Sequence, residues 1–165
     1  MGTGGLFLRK LRARIAEQPT GFVWIEKGML AGSGYPASRG QLEWLRGQGI
    51  RAILTLTENS LPSRWLDGLE LEVRHIPMRD HLAPGTANLE EAAAFIQDKV
   101  KAVRPTLVHC LAGEGRTGCA LAAYLIKDRG VTAEEATRIL RRIKPLFIER
   151  AQENAVVEYE RMARP

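Results

Sequence analysis

The stretch whose reading decides the fold is Val108–Gly118, VHCLAGEGRTG. Just before its loop, Thr106–His109 is a short β-branched run of the kind that makes a buried strand, and after it Cys119–Lys127 is apolar at helical spacing. The stretch therefore reads as a strand, a tight loop and a helix. Cys110 and Arg116 bracket five residues, and glycines stand at 113, 115 and 118. A span of that length can curl so that successive backbone N–H groups point inward, at the positive end of the following helix. Such a nest fits a phosphate.

The residue types then take roles. Inward N–H groups and a helix N-terminus favour a negative sulfur at Cys110, and a thiolate is a nucleophile. Arg116 offers a planar fork that binds two phosphoryl oxygens at once. The Thr117 hydroxyl is placed to hydrogen-bond the sulfur when it leaves, and Leu111, Ala112, Gly113, Glu114 and Gly115 supply the nest between them.

HCLAGEGRTG resembles the Cys-X5-Arg-Ser/Thr signature of the cysteine-dependent protein tyrosine phosphatase superfamily, in its small, dual-specificity or archaeal-type form. A rival reading uses the same letters. Gly113, Gly115 and Gly118 spell GxGxxG between a strand and a helix, and Glu134 or Glu135 lies downstream where a ribose contact would fall. That reading needs a second strand ending in the acid. Val131–Lys144 instead carries apolar residues at Val131, Ala136, Ile139, Leu140 and Ile143, which is helical spacing, with Thr132 as its cap and both glutamates in its first turn. A dinucleotide site is rejected.

The chain's 165 residues suffice for one domain with a core. Its 45% apolar and 26% charged content is that of a soluble globular protein, and a net charge of +5 suits anionic partners without choosing among them. Two cysteines, 110 and 119, make no disulfide framework and fit a reducing, cytoplasmic setting. Cys119 reads as a small core residue, with a redox partner for Cys110 as the alternative. Cys110 itself is expected to be exposed and reversibly oxidisable. No apolar run is long enough for a signal peptide or membrane span. Leu6–Ala16 reads as a basic amphipathic helix docking on its own domain, giving an N-terminal extension over 1–20 and a catalytic domain over 21–165.

In chain order, Phe22–Glu26 and Met29–Ala31 read as two strands across a Lys27-Gly28 turn, and Ser38 caps a helix running to Gln48. Ile50–Thr57 and Glu70–Pro77 are further strands. A helix from Thr86 or Asn88 runs through Val103, and a last one spans Glu149–Met162. The fold class is α/β: one domain, with a central, mostly parallel sheet flanked by helices. Glu58 leaves its strand at the carboxyl edge, where ligands bind. It can pair with an arginine such as Arg116, though an ordinary solvated turn residue is the reading slightly favoured. His75 reads as structural.

IPMRDHLAPG (Ile76–Gly85) leaves a strand at that same edge and carries Asp80 between Pro77 and Pro84. In the phosphatases resembled, an aspartate in such a loop stands about 30 residues before the nucleophile, and Asp80 has that spacing from Cys110. The resemblance implies that Asp80 is the general acid and then the general base, with His81 as a neighbour. It also maps Gln152, in ERAQENAVVEYE, onto the glutamine that positions the hydrolytic water, although Pro145-Leu146-Phe147 replaces the family's Pro-Gly. His109 is expected to hydrogen-bond to the loop behind the cysteine.

The function expected is two-step phosphomonoester hydrolysis through a phosphocysteine. The Cys and His spacing builds no zinc cluster, and the nest with Arg116 supplies the positive charge, so neither metal nor other cofactor is expected. Leu111 and Glu114 occupy positions that phosphoinositide phosphatases fill with basic residues, which favours a phosphoprotein, phosphotyrosine above phosphoserine, with Trp65 a possible contributor to its recognition. A phosphoinositide, an RNA 5′-phosphate and a non-catalytic phosphate-binding module are the alternatives. Nucleic acid is not the expected partner, and a monomer is expected.

Overall fold

The central strand is the one that leads into the Cys110 loop. A computed structural model of the chain describes residues 17–164. The helix expected over Leu6–Ala16 lies outside them. The sheet has five strands, β1 (Val23–Glu26), β2 (Leu30–Ser33), β3 (Ala52–Thr55), β4 (Glu72–His75) and β5 (Thr106–His109), in the order β1-β2-β5-β3-β4. Only β1 and β2 pair antiparallel; the other three pairings are parallel. His109 is level with Ser33 on one side and Thr55 on the other. The chain therefore leaves β3, β4 and β5 at one carboxyl edge, where an open parallel sheet builds its ligand sites.

Alternation along the strands divides the core in two. Leu30, Leu54 and Val108 face the larger cluster, whereas Ala31, Ile53 and Leu107 face the smaller. The smaller is covered by α1 (Arg39–Gly47) through Leu42 and Leu45, with the single-turn α2 (Ser63–Leu66) beside it. The larger is covered by α3 (Thr86–Lys101), α4 (Gly115–Arg129), α5 (Ala133–Ile143) and α6 (Glu153–Ala163). Burial of α4 is nearly complete from Gly115 to Ile126, which explains why its sequence is apolar on every face.

The expected caps form. Ser38 Oγ accepts from the Gln41 N–H at the start of α1. At α5, Thr132 Oγ1 accepts from the Glu135 N–H while the Glu135 carboxylate accepts from the Thr132 N–H, a reciprocal capping box. Glu134 and Glu135 are thus spent at a helix start, as the rejection of the dinucleotide site requires. No helix among the described residues is long and apolar enough to cross a membrane.

Candidate active site

The loop between β5 and α4 is held from outside by its carbonyls. The Cys110 carbonyl accepts from His109 Nδ1 (3.2 Å), that of Leu111 from the Tyr35 N–H (3.0 Å) and that of Gly113 from Lys144 Nζ (2.9 Å). The Glu114 carbonyl accepts from the N–H groups of Gly118 (2.8 Å) and Ile148 (3.4 Å). By contrast, the N–H groups of Leu111, Ala112, Glu114, Gly115 and Arg116 meet no acceptor among the described residues, and that of Gly113 lies 3.3 Å from Cys110 Sγ. In a trans peptide the C=O and N–H point opposite ways. Tying the carbonyls outward therefore turns amide donors inward.

Gly113 has to be glycine. It sits at φ +73°, and a Cβ there would lie 2.2 Å from the Ser33 carbonyl carbon. That contact presses the loop onto the end of β2. Cys110 is 2% exposed, which corrects the expectation of an exposed thiol. Its sulfur faces the Gly113 amide, and facing the donors takes it off the surface. Cys119 is fully buried, and its Sγ lies 3.8 Å from Gln152 Oε1. Burial first, and the nearby Cys110 and Glu149 next, push its thiol up to about 12. That fits a small core residue, because a thiol that stays protonated is a poor partner for exchange.

His109 is fully buried on β5 and placed between Thr55 Oγ1 at Nε2 (2.9 Å) and the Cys110 carbonyl at Nδ1. A carbonyl can only accept, so Nδ1 carries the proton and Nε2 accepts from Thr55. Burial pushes this imidazole down to about 4, which keeps it neutral.

Arg116 is 1% exposed. Nη1 donates to Glu58 Oε2 (3.1 Å) and to the Met78 carbonyl (2.9 Å), and Nη2 lies 2.8 Å from Asp80 Oδ1. The Asp80 contact is a charge contact without hydrogen-bond direction, so Nη2 and Nε both retain unspent donors in a buried place. Buried polar groups are ordinarily satisfied. Thr117 Oγ1 is likewise buried without a partner.

Glu58 proves to be more than a solvated turn residue. Oε1 accepts from the Asp80 N–H (2.8 Å) while Oε2 meets Arg116, so one carboxylate ties the Asp80 loop to the guanidinium. The Asp80 amide above all, with Arg116 adding to it, holds the Glu58 carboxyl below the ordinary range. The Asp80 loop is fastened on its far side too. His81 lies 3.3 Å from the Glu149 carboxylate and 3.6 Å from that of Asp80, and those two neighbours, Glu149 first, raise its pKa.

Gln152 is fully buried in a 3-10 turn, Arg150–Gln152, ahead of α6. Its Nε2 donates to the Leu82 carbonyl (3.2 Å), and its Oε1 accepts from the Glu149 N–H (3.3 Å). A Cβ on Gly115 would fall 2.5 Å from that oxygen, so the amide lies against the first residue of α4. His75 Nε2 binds the Thr57 carbonyl, as a structural residue would. Trp65 packs on Tyr35 in the smaller core, ring centres 6.4 Å apart. The structure thus gathers Cys110, Arg116, Thr117, His109, Asp80, Gln152 and the nest at one edge. It adds Lys144, for which the sequence held no local signal.

A family model described as "Tc-R-P: Polymorphic toxin system, DSP-PTPase phosphatase" matches residues 27–130. The chain belongs to the dual-specificity branch of the cysteine-dependent protein tyrosine phosphatases. Among relatives of the chain, phosphatidylglycerophosphate phosphatase PTPMT2 of Arabidopsis thaliana is 32% identical over 126 residues, covering 73% of this chain and 55% of the relative. Dual specificity protein phosphatase Mpk3 of Drosophila melanogaster is 32% identical over 104 residues, covering 62% of this chain and 25% of the relative. The chain thus spans about half the length of the plant protein and a quarter of the fly protein. The crystal structure of Tk-PTP in the active form superposes with a TM-score of 0.75 at 30% identity, covering 85% of this chain and 96% of that one.

Proposed function

We propose that the chain hydrolyses phosphomonoesters through a phosphocysteine, with phosphoproteins as substrates and phosphotyrosine favoured. The observation that carries this is the set of unspent donors on one loop: the buried Nε and Nη2 of Arg116 and the free amides that follow Cys110. A phosphoryl group's three equatorial oxygens answer them.

Cys110 Sγ attacks phosphorus in line, the S–P bond forms, and the P–O ester bond breaks as protonated Asp80 gives its proton to the leaving oxygen. The arriving phosphoryl group competes with the Asp80 carboxylate for Arg116, and Asp80, once released, takes the proton it delivers to that oxygen from solvent. In the second step water attacks phosphorus, its proton passes to Asp80, and the P–S bond breaks. Gln152 positions the water, and Thr117 Oγ1 donates to the departing thiolate. His109 acts indirectly, by holding the Cys110 carbonyl from behind. A reducing, cytoplasmic setting accords with its two free thiols; a monomer is the state proposed.

A lipid phosphomonoester is the second reading. Three leucines are exposed beside the site, Leu111 at 59% on the loop itself, Leu82 at 50% on the Asp80 loop and Leu146 at 62% on the segment following Lys144. The Arabidopsis relative's name points the same way. Glu114 beside the nest favours the protein reading. Initial rates on a phosphotyrosine peptide, a phosphoserine peptide and phosphatidylglycerophosphate vesicles, with chelator present, decide between them. Highest kcat/KM on the phosphotyrosine peptide supports the first reading, highest on vesicles replaces it with the second, and no turnover of any removes both.

A further inference from the structure

Of the four loop carbonyls held from outside, three are held by backbone groups or by the adjacent buried histidine. The fourth, Gly113, is held by an ammonium from a distant part of the chain, Lys144. Gly113 is also the one residue between Cys110 and Arg116 with a positive φ, and glycine allows the peptides on either side to rotate most freely. The loop's most rotatable peptide is therefore fixed by a side chain 31 residues away.

Lys144 is itself well seated. Its N–H donates to the Leu140 carbonyl at the end of α5 (2.9 Å), and its carbonyl accepts from the N–H of fully buried Phe147 (3.0 Å). Nζ stands 5.5 Å above the Phe147 ring centre, and a Cβ on Gly21 would come within 2.8 Å of it. The ammonium thus has little choice of direction. Because the Gly113 carbonyl points to Nζ, the Glu114 N–H of the same peptide points away from it, toward the inside of the loop.

We propose that Lys144 is a positioning residue of the phosphate site, holding the Gly113–Glu114 peptide so that the Glu114 amide presents its proton to a phosphoryl oxygen. It works from the outer side of the loop and does not touch the substrate. The inference rests on reading the loop as a phosphate cradle.

The test compares wild type with Lys144→Met, which keeps an apolar stem over Phe147 but has no donor, and Lys144→Arg, which keeps a donor. Arg142→Met removes one exposed charge on the same segment as an electrostatic control. The readouts are inorganic phosphate affinity by calorimetry, kcat/KM on p-nitrophenyl phosphate and Tm. Lys144→Met should weaken phosphate binding and lower kcat/KM by about 10-fold each, as loss of one charge-assisted hydrogen bond implies. Lys144→Arg should restore most of both, and Arg142→Met should change neither beyond about 2-fold. Lys144→Met binding phosphate as wild type does would overturn the proposal while leaving the cradle intact. So would recovery of Tm but not of phosphate affinity in Lys144→Arg, which would make the contact merely structural. Wild type that neither binds phosphate nor turns over would remove the cradle reading and this inference with it.

Discussion

The two loops that meet at Arg116 are built from different material. The Cys110 loop is shaped mainly by its main chain, with carbonyls tied outward, amides left inward and a glycine pressed against β2. The Asp80 loop is fastened mainly by side chains: Glu58 on the Asp80 amide, Arg116 on the Asp80 carboxylate, Glu149 on His81 and Gln152 on the Leu82 carbonyl. Main-chain groups do not titrate and, with their carbonyls tied, keep one direction, which would suit a cradle for one tetrahedral anion. Carboxylates and imidazoles gain and lose protons and change partners, which suits the delivery of a proton.

The sharpest way to separate the two is to remove the proposed nucleophile and ask whether the cradle survives. Cys110→Ser should lower turnover of p-nitrophenyl phosphate by at least roughly 10³-fold, since a serine there has no base to activate it, while inorganic phosphate still binds. If phosphate binding vanished with turnover, the cradle would depend on the sulfur and the contrast would break. Asp80→Asn should cost about 10² to 10³-fold in kcat, within the range of general acid catalysis, and less with a leaving group that needs no proton. Phosphate affinity in that variant should hold or rise, because a competing carboxylate has left Arg116.

Two smaller effects concern pH. His109 is held neutral by burial, with its pKa depressed from 6.5 to about 4, so the unfolded chain takes up the proton first as the solution is acidified. Its contribution is whole above pH 6.5 and is lost as pH falls toward 4, by no more than about 3 kcal/mol. Chemical denaturation at several pH values should show that slope, and His109→Asn should flatten it. His81 runs the opposite way. Its raised pKa means the contact with Glu149 is complete below the ordinary histidine value and loosens as pH rises through the raised one. His81→Gln should therefore change kcat/KM by less than about 3-fold, with the change concentrated on the acid side, where the wild-type contact is complete.

Most of the frame was legible because it is local. β5, the Cys110 loop and α4 follow from one β-branched run, three glycines and one apolar helix, and the caps at Ser38 and Thr132 announce α1 and α5. The strand order was not legible, since β5 enters between β2 and β3 from far along the chain. Nor were α2 and the 3-10 turn at Gln152, because single turns carry no periodicity. At the site, Asp80 was found through spacing and resemblance together. Glu58 was undervalued because its partners, Asp80 and Arg116, lie 22 and 58 residues away and leave no trace in its neighbours. The burial of Cys110 was missed because it depends on the direction of one side chain.

The unspent donors of Arg116 and Thr117 also bear on how the chain holds together. Buried groups without partners weaken a fold, typically by about 1 to 3 kcal/mol each, and here they converge on one place. Whatever anion fills that place therefore completes the fold as well as the site. Through linkage, phosphate at one hundred times its dissociation constant would add about 2.7 kcal/mol of stability. On the proposed reaction the product would double as a thermal stabiliser, and a melting curve in graded phosphate would register occupancy of the cradle without any chemistry taking place.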